Sequence, residues 1–406
     1  MKRIFCALTL ALLSTTAFAA ESTQSANPIL IGVIGPYTGG SSGMGLSMLN
    51  GVRLAANEIN FKGGILGRPV ALIERDDQAM PEVGAKIAQE FVTKDKPAAV
   101  VGFVNTGVAL AAQKYLQEAK IPVLTNVSAG AALTKQFLPP KYPDNYIFRN
   151  SASDAIQSEM VVHEAIERRK FKRVAIFTDV TAYGQQGKEL MLAALTKRGI
   201  APVTIEQFKI GDTDMSAQLD KARKSGAEAL LCWGIGPELA AVANNRARMG
   251  WQVPMIGGWT LSLTSFIENA GVNGNGVRMP QTFIAEPTTS RHTSFITTYL
   301  STYNVTSIPS AVSASQGYDS LLLLAAAMQQ AKSTEGPLVR AALENLKEKV
   351  YGVITTYDHP YTKDDHEAIS DNLVITGEVQ NSHVTYAYRD DEKQAIIRRK
   401  QTVKKP

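Results

Sequence analysis

Cysteine is almost missing from this chain: among 406 residues there are two, Cys6 and Cys232. Cys6 falls in an apolar N-terminal run that reads as a removable leader, so one cysteine is left and no internal disulfide can form. Stability must then come from buried apolar surface. Cys232 lies in the run Ala229-Leu230-Leu231-Cys232-Trp233 and reads as a core thiol. An excess of one charge is also lacking. The formal net charge is +5, and losing Lys2 and Arg3 with the leader leaves +3, too little to imply a nucleic-acid partner. Internal repeats, low-complexity tracts and apolar runs of the roughly 20 residues needed to span a bilayer are absent as well.

The N-terminus itself is informative. Lys2 and Arg3 precede an apolar stretch from Ile4 to Leu13, and Ala17-Phe18-Ala19 follows. That is the build of a secretory signal peptide over residues 1–19, cleaved near Ala19. No cysteine follows the cleavage step, so a lipid anchor is not expected. The mature protein is expected to be exported to the periplasm in soluble form.

With 45% hydrophobic residues and about 150 residues per domain, the length suits two sizeable cores. The pattern agrees. Ile29 to Ile34 is a continuous β-branched run, as in a strand buried on both faces of a parallel sheet. Leu46, Leu49, Val52, Ala56 and Ile59 then recur at helical spacing, and Gly63-Gly64 supplies the exit. Strands at Val70–Ile73, Ala98–Val101 and Ile121–Leu124 alternate with helices begun by Pro81 and around Val108–Leu116. After Arg149 the series restarts, with strands at Val174–Phe177, Val203–Phe208, Ala229–Trp233 and Val253–Ile256 between helices. The pattern predicts an α/β chain with two doubly wound parallel-sheet lobes. The remaining helices, Gln316–Ala331 and Pro337–Leu346, complete those lobes. The basic residues of 391–406 read as a frayed polar tail.

Several motifs invite a catalytic or cofactor reading. Gly39-Gly40-Ser41-Ser42-Gly43 matches the G-x-S-x-G pattern of serine hydrolases. A nucleophile elbow turns straight off its strand, however, whereas Pro36-Tyr37-Thr38 intervene here. A hydrolase using Ser41 is kept as the alternative, and the hydroxyls are read as contacts to a carboxylate near the first turn of a helix. Gly234-Ile235-Gly236 is followed by Leu239 where a dinucleotide fingerprint needs glycine, and Gly184 and Gly187-Lys188 are too close for a phosphate loop. No cofactor is expected. Asp76 and Asp77 point to opposite faces of their strand, and His359, Asp364, Asp365 and His366 match no metal spacing.

Together the segments resemble the branched-chain amino acid-binding family of periplasmic receptors, the type I binding proteins of leucine- and amide-type ABC transporters. The resemblance spans nearly the whole mature chain. It rests on Gly35-Pro36-Tyr37-Thr38-Gly39 with Met44-Gly45, Ile59-Asn60 with Gly63-Gly64-Ile65 and Gly67, Asp76-Asp77, Val101-Gly102 with Thr106, Ile121-Pro122-Val123, Phe148-Arg149, Tyr183-Gly184, Asp212-Thr213-Asp214 and Tyr318-Asp319. It implies two lobes joined by a three-crossing hinge, with residues 28–148 and 285–353 in the first and 149–284 and 354–390 in the second. It further implies a monomer that closes on a small-molecule ligand, delivers it to an inner-membrane ABC permease, and catalyses nothing.

Carried over by position, the cleft takes Ser41, Ser42, Met44, Thr106, Val127, Ser128 and Ala129 from the first lobe. Tyr183, Trp233, Ile235, Gly236 and Trp259 come from the second, all at carboxyl ends of strands. Leucine-binding relatives hold the ligand's ammonium with an acidic residue where this chain aligns Trp259, and add a threonine hydroxyl where it has Ala129. An unpaired buried ammonium costs several kcal/mol. The expected ligand is therefore an aromatic or branched organic acid stacked between Trp233 and Trp259, with a branched-chain amino acid as the alternative.

Overall fold

The computed structural model describes residues 27–395 and residue 400. The expected signal peptide lies outside the described residues.

The first sheet grows around the apolar run at its centre. β1 (Ile29–Gly35) pairs in parallel with β2 (Val70–Asp76) on one side and β3 (Ala99–Val101) on the other, with Ile31 opposite Leu72 and Ala99. β4 (Val123–Thr125) and β5 (Ile147–Arg149) complete the order β2-β1-β3-β4-β5. Helices cover both faces, which is why β1 carries no polar side chain. α1 (Ser42–Phe61) buries Leu49, Val52, Ala56 and Ile59 as the spacing predicts, but Leu46 at the start of the same stripe is 41% exposed. The partner of α1 is α10 (Ala311–Ala331), and the two backbones meet closely. A Cβ on Gly51 would stand 2.0 Å from the Ala314 carbonyl oxygen, and one on Gly317 would stand 2.3 Å from that of Met48. α2 (Pro81–Glu90) and α3 (Thr106–Glu118) cover the opposite face.

The second sheet, in order β14-β13-β10-β9-β8-β6-β7, is parallel from β6 to β10 and antiparallel beyond. Its strands are β6 (Val174–Asp179), β7 (Thr204–Phe208), β8 (Ala229–Trp233), β9 (Met255–Gly257), β10 (Arg278–Gln281), β13 (Ile375–Gln380) and β14 (His383–Tyr386), while β11 (Val350–Tyr351) and β12 (Thr356–Tyr357) form a separate two-stranded ribbon. The two parallel-sheet lobes are those expected, and the second carries an antiparallel addition at one edge. β13 and β14 form a short-turn hairpin that adds to the β10 edge, and such a connection permits only antiparallel pairing. α4 (Asp154–His163) and α5 (Ala182–Thr196) pack on one face, and α6 (Ser216–Lys224), α7 (Gly236–Arg248) and α8 (Thr264–Ala270) on the other.

The chain passes between sheets at 149–154, at 282–289 ahead of α9 (Ser290–Tyr303), and at Val374–Ile375. The third passage corrects the expected placement of residues 354–374 in the second lobe. Ile354, Tyr357, Tyr361, Ile369, Leu373 and Val374 are buried in the first-lobe core. Glu367 bridges to Arg149 at the edge of β5, where the Arg149 N–H donates to the His366 carbonyl and the Ala368 N–H to that of Arg149. The tail is also tied down where it is described. Arg389–Ala395 is helical, and Lys400 pairs with Asp365 at 2.6 Å.

Candidate functional site

The carboxyl ends of both sheets face one another, and their loops close a cavity lined by Met44, Val104, Asn105, Thr106, Val127 and Ala129 from the first lobe. Tyr183, Ile235, Trp259 and Thr260 line it from the second. Its volume is about 20 Å³, room for little more than one water. Beside it a second space is lined by Val127, Ala129, Ser151, Ala152, Gln157 and Trp259. Trp259 separates the two. Its indole is 6% exposed and belongs to the same apolar cluster as Met44, Val104 and Val127, so a second-lobe side chain completes the first-lobe core. Its backbone N–H donates to Gln157 Oε1 at 3.1 Å. The lobes are thus closed on this space.

Of the expected site residues, Met44, Thr106, Val127, Ala129, Tyr183, Ile235 and Trp259 converge on this cavity. Thr106 Oγ1 and Ser128 Oγ lie 3.2 Å apart, forming a buried hydroxyl pair at the first-lobe wall. Ser41 is buried just before α1, and its Oγ accepts from Asn105 Nδ2 at 3.2 Å. Its backbone is relaxed, with φ −95° and ψ 2°. Ser42 is half-buried outside the cavity. The expected set of free N–H groups at the start of α1 is largely spent, since those of Ser42, Met44 and Gly45 donate to the carbonyls of Gly39 and Ser41.

Trp233 is the main correction. It is completely buried and lies beneath Tyr183, ring centroids 5.6 Å apart. Gly187 makes room for it, because a Cβ there would stand 2.4 Å from the indole. Trp233 therefore packs behind the wall and does not line this cavity. Gly236 opens α7 and packs against Ser265 of α8.

Other polar groups hold the loops. Asp76 accepts from the Tyr37 N–H at 2.8 Å and from Thr38 Oγ1 at 2.7 Å, fixing the loop before α1. Burial pushes its pKa up, but these bonds outweigh that and hold it below the usual range. Asp77, buried behind it, is pushed up to about 7 by burial. His359 pairs with Asp358, and His366 stacks on Phe148, so the histidines considered for metal point to separate partners. No group of three or more potential metal ligands occurs among the described residues.

Residues not anticipated from sequence are Val104, Asn105, Gln157, Thr260 and Asp154. The last is the first residue of α4, following its cap Ser153, and so reads locally as a helix-start acid. Its side chain is instead wholly buried, and neither carboxylate oxygen has a hydrogen-bond partner. Burial pushes its pKa up to about 7, with Arg149 opposing. The Tyr183 phenol lies near Asp154 and Thr260, and burial raises its pKa well above the ordinary value.

Against known proteins, a family model described as periplasmic binding protein matches residues 28–382. The chain belongs to the periplasmic binding protein family. A Leu/Ile/Val-binding protein homolog of Brucella melitensis is 33% identical over 66% of the chain and 72% of its own length. The branched-chain amino acid transporter substrate-binding protein of Streptococcus pneumoniae, solved with isoleucine, superposes with TM-score 0.76 at 24% identity, covering 88% and 98% of the two chains. A solute-binding protein of an ABC transporter from Rhodopseudomonas palustris, solved with 3,4-dihydroxy benzoic acid, superposes with TM-score 0.72 at 20% identity, covering 90% and 99%. The motifs from Gly35-Pro36 to Tyr318-Asp319 thus marked the type I, branched-chain amino acid branch correctly. Members of the family are periplasmic solute-binding proteins, not enzymes.

Proposed function

We propose that this periplasmic binding protein is the exported, monomeric receptor of an ABC-type importer, and that it captures a small carboxylate-bearing ligand between its lobes for an inner-membrane permease. The observation that carries the reading is the cavity built by both lobes, with apolar walls and a few convergent polar groups at the carboxyl ends of two sheets. Two larger concavities, of 610 and 620 Å³, lie elsewhere. One is at the amino ends of the first sheet, around Lys96, Lys120 and Glu335, and the other lies outside the cleft between α8 and α9. In open α/β sheets ligands bind at the opposite end from the former.

The Thr106–Ser128 hydroxyl pair and Asn105 suit a carboxylate, and the Trp259 indole with Met44, Val104 and Val127 suits an apolar body. An aromatic or branched organic acid fits that wall. A branched-chain amino acid is the second reading, favoured by the Brucella relative's name and by the unpaired Asp154 carboxylate. A hydrolase would need a base at Ser41, whose side chain is bonded to Asn105 instead.

A thermal-shift screen of the mature chain against both classes tests this. A ligand at 100 times its Kd stabilises by about 2.7 kcal/mol. A shift with aromatic or branched acids supports the first reading, and one with leucine or valine the second. Ester turnover lost on Ser41→Ala would replace both.

A further inference from the structure

The side chain that the cleft leaves most conspicuously unsatisfied is Asp154. It is 0% exposed, and both Oδ1 and Oδ2 lack a hydrogen-bond partner. Buried polar groups are nearly always paired, so two free acceptor oxygens on one carboxylate require an explanation. The nearest cation does not supply one. Arg149 spends Nε and Nη2 on Glu367, at 2.7 and 2.6 Å, and Nη1 on the Gly130 carbonyl at 2.6 Å.

Asp154 lines neither interlobe space itself but stands directly behind residues that do. The Asp154 N–H donates to the carbonyl of Ala129, a first-lobe lining residue, at 2.7 Å. One turn along the same face of α4 stands Gln157, which lines the second space and holds the Trp259 backbone. Across from it is the lining residue Tyr183, whose hydroxyl is also buried. We infer that Asp154 is a specificity-determining residue of the cleft, accepting hydrogen bonds from a donor group, ammonium or hydroxyl, that the ligand carries in addition to its carboxylate. The inference rests on the interlobe cleft being the ligand site. It selects within the proposed class: hydroxylated acids and amino acids are accepted, and acids without a donor are discriminated against.

Four probes form two matched pairs, L-leucine with isocaproate and 3,4-dihydroxybenzoate with benzoate. Affinities are measured by calorimetry for the wild type and for Asp154→Asn, whose fold is checked by circular dichroism. The inference expects the donor-bearing member of one pair to bind at least tenfold tighter than its partner. Asp154→Asn, which loses the charge and one of the two acceptor oxygens, should cut that ratio several-fold by weakening the donor-bearing probe alone. Leucine as the binder identifies an ammonium, and the dihydroxy acid a hydroxyl.

An unchanged ratio in Asp154→Asn overturns the inference and assigns the two oxygens to trapped water. If no probe binds the wild type, the cleft reading falls and the inference with it. Should Asp154→Asn fail to fold, the wild type decides the matter. The ionisable groups facing Asp154 are Arg149 and Tyr183, with Glu367 behind the first and Asp179 behind the second. Only the ionised carboxylate receives an ammonium, so leucine affinity should rise about tenfold from pH 6 to pH 8. Where leucine is the binder, a flat profile overturns the inference.

Discussion

Replacing Asp154 by asparagine should change the stability of the empty protein by an amount that depends on pH and is most favourable above pH 7. The carboxyl is wholly buried and its pKa stands at about 7, raised from 3.8, with burial the main cause and Arg149 opposing. Between those values the folded chain binds more protons at this site than the unfolded chain does. Stability therefore falls as pH rises through the window, and the loss is complete above pH 7. At about 1.36 kcal/mol per pKa unit, the penalty reaches about 4 kcal/mol at pH 8 and about 1.6 kcal/mol at pH 5. Asparagine cannot ionise and escapes this loss. It does bring an unpaired amide, at a pH-independent cost of about 1–3 kcal/mol. The diagnostic is the change with pH: relative to wild type, the variant should gain about 2.5 kcal/mol between pH 5 and pH 8, worth about 5–10 °C in Tm for lobes of this size. Thermal unfolding of both proteins at the two pH values measures it. Parallel behaviour at both would refute the reasoning, showing that the folded protein keeps Asp154 ionised by solvation or pairing.

Glu367→Gln should lower stability by about 3–5 kcal/mol in denaturant titrations, because it strips the fully buried Arg149 of its carboxylate. With Trp233 sealed beneath Tyr183 and Trp259 at the lobe boundary, a bound ligand should change indole fluorescence in Trp233→Phe and leave it nearly unchanged in Trp259→Phe. Equal responses would remove Trp259 from the site. Cys232 is buried and its pKa is pushed up to about 12, mainly by burial, so the folded mature protein should resist thiol reagents at pH 8 and react once unfolded.

Much of the architecture was legible because burial on both faces writes itself into sequence. Ile29–Gly35, Val174–Phe177 and Ala229–Trp233 are apolar throughout, as strands between two helical layers must be. The missed elements carry weaker signals. β10 is Arg-Met-Pro-Gln, β5 spans three residues, and α9 is rich in threonine and serine, relying on its Thr289 cap and on packing of Phe295 and Tyr299. The placement of 354–374 was illegible for a different reason. A stretch with little periodicity joins whichever edge offers partners, and that edge was β5, through Arg149.

At the site, sequence alone determined which loops matter, since in a doubly wound sheet the turns after strands share one end of the lobe. It also carried the pattern expected of an export leader, with a single cysteine, Cys232, beyond it. Tertiary structure decided which side chains face inward. Trp233 and Trp259 both follow or end second-sheet strands, yet one is sealed in the core and the other fills the cleft. Asp154 looks like an ordinary helix-start acid until the lobes meet around it. Burial is a property of what arrives from elsewhere in the chain, and for these residues what arrives is the opposite lobe or the neighbouring helix.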